Sequence, residues 1–157
     1  MVRGLPYHVE FADTSCVDAY SGCDSTFDFP FTSQFHAYEA TLAMFDQVLI
    51  DGPQGNFDSD PSLTNGCGLA VGCWIETPFR VPLQPRESVT FIRAISAGLT
   101  EDSAIVYTSF REYDLGNDDL RVLALWTPIP EPGTAVLLAL GLVGLARNRR
   151  DATTRAV

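Results

Sequence analysis

Ser88-Val-Thr-Phe-Ile-Arg-Ala-Ile-Ser96 reads as a β-strand. It is rich in β-branched and aromatic residues, and Val89, Phe91 and Arg93 share one face. Moving outward, Ser103-Ala-Ile-Val-Tyr-Thr-Ser-Phe-Arg111 is a second strand and Leu120-Arg-Val-Leu-Ala-Leu-Trp126 a third, more apolar one. Asp114-Leu-Gly-Asn-Asp-Asp119 links the last two; Gly116 and Asn117 accept the positive φ of a hairpin loop, so a hairpin is expected there. Upstream, Ala70 to Trp74 and Phe79 to Leu83 read as short strands separated by Pro78. Tyr7 to Phe11 alternates as a strand. Thr26 to Phe31 alternates too, with Phe27, Phe29 and Phe31 on one face, and Pro30 makes it an edge strand. Residues 35–50 fit two patterns. Phe35, Tyr38, Leu42, Phe45 and Leu49 form a helical stripe, whereas Tyr38, Ala40, Leu42, Met44, Val48 and Ile50 alternate as a strand. Gln47 to Asp51 is read as strand, and residues 35–46 stay open. Asp51 to Gly68 is a long turn-rich segment. Short strands between turn clusters, with no internal repeat, predict a mainly all-β domain over residues 1–127, an antiparallel β-sandwich of jelly-roll-like form.

Composition narrows the function classes. The 157 residues include no Lys, and the formal charge is −10. Before residue 130 there are 18 acids against 6 arginines, hence −12. Such a surface repels nucleic-acid phosphate, so no nucleic-acid partner is expected. It suits a soluble exported protein or one that attracts cations. Four cysteines fall in two close pairs, Cys16/Cys23 and Cys67/Cys73. Three connectivities exist, and local pairing, 16–23 with 67–73, is the simplest. A four-cysteine zinc site is the alternative, although these spacings exceed the usual C-x2–4-C.

Few residues point to chemistry. His8 and His36 are the only histidines and neither sits in a known motif, so both are read as structural. No nucleophile elbow, H-E-x-x-H helix or P-loop is present, and no catalytic or cofactor-binding residue is assigned. Asn56, Asp58 and Asp60 stand at alternate positions, a spacing that suits weak calcium binding. This is no EF-hand loop, because Gly does not follow Asp60 and Cys67 occupies the place of the bidentate Glu. A solvated turn is the plainer reading.

The last thirty residues have a different character. Gly133 to Ala146 contains no charge. As a helix its fourteen residues span about 21 Å against roughly 30 Å of hydrocarbon, which is short for a permanent span. Arg147, Arg149 and Arg150 follow it, and arginine beside an apolar segment resists translocation. Pro130 and Pro132 hold Glu131 in an extended, non-helical stretch that a protease can read.

Residues 129–150, Ile-Pro-Glu-Pro-Gly-Thr-Ala-Val-Leu-Leu-Ala-Leu-Gly-Leu-Val-Gly-Leu-Ala-Arg-Asn-Arg-Arg, resemble the PEP-CTERM sorting signal of Gram-negative bacteria. The resemblance implies cutting by a membrane-embedded exosortase at Pro130-Glu131-Pro132. Gly133 to Ala146 would then be the transient membrane helix, and Arg147, Arg149 and Arg150 the basic stop. The expected organisation is a β domain (1–127), a sorting signal (128–150) and a disordered tail (151–157). The family pattern also includes an N-terminal signal peptide. Met1 to His8 has no apolar core, so a reading frame that begins upstream is expected. The resemblance implies export, transient inner-membrane anchoring and release to the cell surface, often in connection with exopolysaccharide or biofilm. A non-catalytic matrix module with polysaccharide as partner is one reading; Tyr113, Trp74 and Phe57 are its candidate sugar-stacking rings. A secreted enzyme acting on polysaccharide is the other.

Overall fold

A computed structural model describes residues 2–82, 87–96, 102–113 and 118–130. In chain order its principal elements are β1 (Tyr7–Ala12), α1 (Cys16–Ala19), α2 (Gln34–Gln47), β2 (Asp51–Gly52), β3 (Gly55–Asn56), β4 (Cys73–Arg80), β5 (Ser88–Ser96), β6 (Ser103–Phe110) and β7 (Arg121–Pro128). The protein is mainly β, as expected. The described strands do not form the two packed sheets of an antiparallel sandwich or jelly roll. They form one five-stranded mixed sheet, ordered β1-β7-β4-β5-β6, and a separate two-stranded β2-β3 ribbon.

The strand order corrects the expected hairpin. β6 and β7 are not neighbours, because β4 and β5 lie between them. β7 instead pairs parallel with β4 and antiparallel with β1. The physical reason lies in side-chain character. Val122-Leu-Ala-Leu-Trp126 is apolar on both faces and suits an interior strand, whereas β6 carries Ser103, Thr108 and Ser109 and sits at an edge. Gly116 and Asn117 lie outside the described residues. β4 corrects a second reading. It runs unbroken through Pro78, with a register shift against β5 between Pro78 and Arg80. Proline is accommodated inside a sheet at such irregularities.

Residues 34–47 resolve as helix. Ser33 caps it, its hydroxyl accepting from the His36 N–H at 3.3 Å. Ala37, Ala40, Thr41 and Met44 then form the buried stripe. Gln47 closes this helix, and the strand expected at 47–51 is reduced to the two residues of β2. Thr26 to Phe31 is not an edge strand either. Ser25 and Asp28 form a capping box around a 3₁₀ turn, since Asp28 Oδ2 accepts from the Asp24 and Ser25 N–H groups. The three phenylalanines therefore separate: Phe27 is 90% exposed, Phe29 enters one core cluster and Phe31 the other.

Two cores flank the sheet. On one face Ala37, Ala40 and Met44 of α2 pack with Ile75, Ile92, Ala94, Val122, Ala124 and Trp126. On the other, the Cys16–Cys23 loop and Phe29 cover Val89, Phe91 and Leu123. Cys67–Cys73 is the second disulfide, so both local pairs form as the spacing predicts and no described cysteine is left for zinc. Gly66 (φ +86°) lets the chain pass so close to β7 that a Cβ there would meet Val122 Cγ1 at 2.5 Å.

Candidate functional site: the sorting junction

The junction is built from the end of β7. Trp126 is buried, and its Nε1–H donates to Thr77 Oγ1 at 3.1 Å. Its ring meets Phe31 at 5.5 Å and Tyr7 at 6.3 Å, while Tyr7 and Phe31 meet at 5.3 Å. Three rings thus lock the last strand to β1, in edge-on or tilted arrangements favoured by the aromatic quadrupole. Beyond Trp126 the burial stops, and Thr127, Pro128, Ile129 and Pro130 are exposed. Pro128 still lies opposite Tyr7, and the Ile129 N–H donates to Pro6 O at 3.0 Å. Pro130 has no N–H to extend the ladder. The β1–β7 ladder therefore ends at Ile129, directly before the double-proline segment. Of the expected sorting residues, Pro130 is described; Glu131, Pro132, the apolar run 133–146 and Arg147, Arg149 and Arg150 lie outside the described residues, as does the expected tail 151–157. Among the described residues no helix is long and apolar enough to cross a membrane.

A recess of about 240 Å³ adjoins the junction, lined by Val2, Leu5, Tyr7, Pro30, Phe31, Arg3 and His36. Arg3 sits at the tip of a tight Val2–Leu5 turn with φ +52°. Its Nη1 donates to His36 Nε2 at 2.7 Å, and its Nε lies 3.7 Å from Glu39. His36 is thus a hydrogen-bond partner of an arginine; His8 is exposed on β1, opposite Thr127.

The second polar constellation was not legible in the sequence. Glu76 of β4 is buried, and its Oε1 accepts from Arg93 Nε at 3.0 Å, Arg93 Nη2 at 2.6 Å and Arg121 Nη2 at 2.8 Å. Asp118 lies 3.8 Å from Arg121. Rings close over the cations. Tyr107 is centred 3.4 Å and Trp74 4.6 Å from the Arg93 guanidinium carbon, and Tyr113 is 4.5 Å from that of Arg121. Burial acts to lower the Arg121 pKa, but the hydrogen bond and charge of Glu76 outweigh it and the net direction is up. Strand pairing alone brings these residues together: Glu76 lies opposite Arg93, and Trp74 opposite Arg121. Two of the three expected stacking rings, Trp74 and Tyr113, therefore converge on this cluster. Phe57 does not; it covers Gly55 in the small ribbon.

Among the calcium candidates, Asp60 engages its side chain, and Asn56 and Asp58 engage their backbone. Asp60 Oδ1 accepts from the N–H and hydroxyl of Ser62, capping the turn at Pro61–Leu63. The N–H of Asp58 donates to Asp51 Oδ1, and Asn56 O accepts from the Asp60 N–H. Asp51, passed over in the sequence, organises the loop, also accepting from the Ser59 N–H and hydroxyl; these bonds hold its carboxyl below the usual range. Among the described residues no group of three or more His, Cys, Asp or Glu could hold a metal.

No curated protein and no solved structure matches the chain. One family model does match, over residues 128–150, beginning on the last residue of β7. The chain carries a PEP-CTERM protein-sorting motif, the mark of an exported protein processed at the membrane by an exosortase.

Proposed function

We propose that the domain before the motif is a non-catalytic extracellular module, released by exosortase at Pro130-Glu131-Pro132 and retained in the polysaccharide matrix of a Gram-negative cell. The observation that carries the reading is the motif itself, which begins on the last residue of the aromatic-locked strand β7. Two disulfides and an acidic, lysine-free exterior suit life outside the cytoplasm. The alternative, an enzyme acting on polysaccharide, calls for a pair of carboxyl groups roughly 5–10 Å apart with one of them free to move a proton. Glu76, the buried acid, is held by two guanidiniums, which favours the non-catalytic reading.

Co-expression with an active exosortase tests the sorting. Mass spectrometry of released protein should find a C-terminus within the Pro130–Pro132 region; a C-terminus at Val157 would refute the proposal. Pro130→Ala with Pro132→Ala should leave full-length protein in the membrane fraction. Replacing Arg147, Arg149 and Arg150 with Ser should let part of the chain through uncut. For the matrix role, released protein should co-sediment with host polysaccharide, and Tyr113→Ala should weaken that binding. Equal recovery with and without polysaccharide would remove the matrix assignment while leaving the sorting intact.

A further inference from the structure

β6 forms one outer edge of the sheet, and none of the described strands pairs with its far side. Its eight residues, Ser-Ala-Ile-Val-Tyr-Thr-Ser-Phe, include no charge and no proline. Ile105, Val106 and Phe110 are 45%, 49% and 64% exposed. A free edge presents unpaired N–H and C=O groups that template another strand, and edges are usually blunted by charge, proline, brevity or cover. The opposite edge is treated that way. β1 is shorter, follows Pro6, carries His8 and Glu10, and has its Phe11 carbonyl occupied by Asn65 Nδ2 at 2.9 Å.

We propose that the β6 edge docks a second copy of this chain, antiparallel about a two-fold axis at Val106, joining two sheets into one of ten strands. Charge selects where a self-contact can form. The −12 carried before residue 130 opposes the approach of two copies, and β6 is an uncharged strip where that opposition is least. The register follows from the pleat. Side chains alternate between faces, so a two-fold pairing must set odd residues against odd and even against even. Centred on Val106, it puts Ile105 opposite the partner's Tyr107 twice over, an aromatic–β-branched pair of the stabilising kind. It also sets Ala104 opposite the partner's Thr108 and brings the Arg111 end of one strand to the Asp102 end of the other. The neighbouring register, centred on Tyr107, would set Ile105 against serine and Asp102 against the partner's Glu112, which is repulsive.

The test is the protein mass of the full chain in mild detergent, measured by light scattering with the detergent contribution subtracted. The wild-type chain should give twice its 17.1 kDa mass. Val106→Lys, which sets two ammonium groups face to face on the axis, should give the single mass with an unchanged circular dichroism spectrum. Thr108→Lys, exposed on the same strand, is the second variant should the first fail to fold, with the same result expected. A wild-type chain that stays monomeric up to high micromolar concentration overturns the proposal. So does a folded lysine variant that remains dimeric, since the contact would then lie on another surface or in the apolar tail.

Discussion

The two faces of the sheet are solved by different physics. The helix face is an ordinary apolar core, with Ala37, Ala40 and Met44 of α2 lying on Ile75, Ile92 and Val122. The opposite face is covered by a disulfide loop and holds a carboxylate and two guanidiniums in its interior. Apolar packing is forgiving, because a lost methylene costs its transfer energy plus whatever cavity remains. A buried ion cluster is not, because removing one member strands the others without water. The polar face is therefore the more fragile one, although it holds fewer large apolar side chains.

The largest expected effect follows directly. Glu76→Gln should destabilise the domain by about 3–5 kcal/mol, because Arg93 and Arg121 lose their common anion. Urea denaturation followed by tryptophan fluorescence would measure it. A loss under 1 kcal/mol would mean that the cluster is wet and the contrast between faces false. Converting all three residues together, Glu76→Leu with Arg93→Met and Arg121→Met, should cost far less than Glu76→Gln alone, since an apolar replacement removes the desolvation cost along with the attraction.

On the helix face, Met44→Ala should cost about 2–5 kcal/mol, set by how far α2 collapses onto Ile75 and Ile92. If Met44→Ala proves costlier than Glu76→Gln, the order of fragility is reversed and the ionic cluster is a bystander.

Each face has its own staple, which permits an internal control. Cys16–Cys23 belongs to the polar face and Cys67–Cys73 to the helix face, and they close loops of nearly equal length, with sequence separations of 7 and 6. Chain entropy alone gives each about 2 kcal/mol. Paired Cys→Ala replacements, read by thermal unfolding, should therefore be close to equal. A markedly larger loss at 16/23 would show that this loop works chiefly by shielding Glu76 and its arginines, with Cys16 beside them.

How the two faces divide the sequence also explains what could be read in advance. β5, β6 and β7 were visible because each is a local pattern of alternating or continuous apolar residues. Both disulfides were visible because they too are local. The order of the strands was not, since Gly116-Asn117 is good turn chemistry whether or not the flanking strands pair. Phe27, Phe29 and Phe31 misled because alternation implies one face only if the backbone is extended, and Asp28 folds it into a turn instead. Residues 35–50 fit a strand period nearly as well as a helical one, and the Ser33 cap with the buried stripe of Ala37, Ala40, Thr41 and Met44 decides for helix over 34–47. Glu76, Arg93 and Arg121 lie on three strands, and only the pairing of β4 with both β5 and β7 brings them together. The sorting motif, by contrast, was fully legible because an enzyme reads it as sequence.

The smallest effect comes from Tyr20, and its sign is set by pH. Tyr20 lies over the polar face, packed edge-on against Phe29 at 5.2 Å, and its hydroxyl donates a long 3.4 Å bond to the Ala124 carbonyl of β7. Burial pushes its phenol well above the ordinary value of 10.0. In the unfolded chain the phenol ionises near that ordinary value, while the folded chain keeps it protonated. Above about pH 10 the unfolded state thus binds fewer protons than the folded one, and stability falls as pH rises. Below pH 10 the two states hold the same proton, so no pH dependence arises from this group. Tyr20→Phe should cost about 0.5–1.5 kcal/mol at neutral pH, the net worth of one hydrogen bond. That difference should shrink and then change sign as pH rises beyond 10, because phenylalanine has no proton to lose. Urea melts of both proteins at pH 7 and at pH 10.5 check this. Parallel pH profiles would mean that Tyr20 titrates freely, and that the disulfide loop does not seal the polar face.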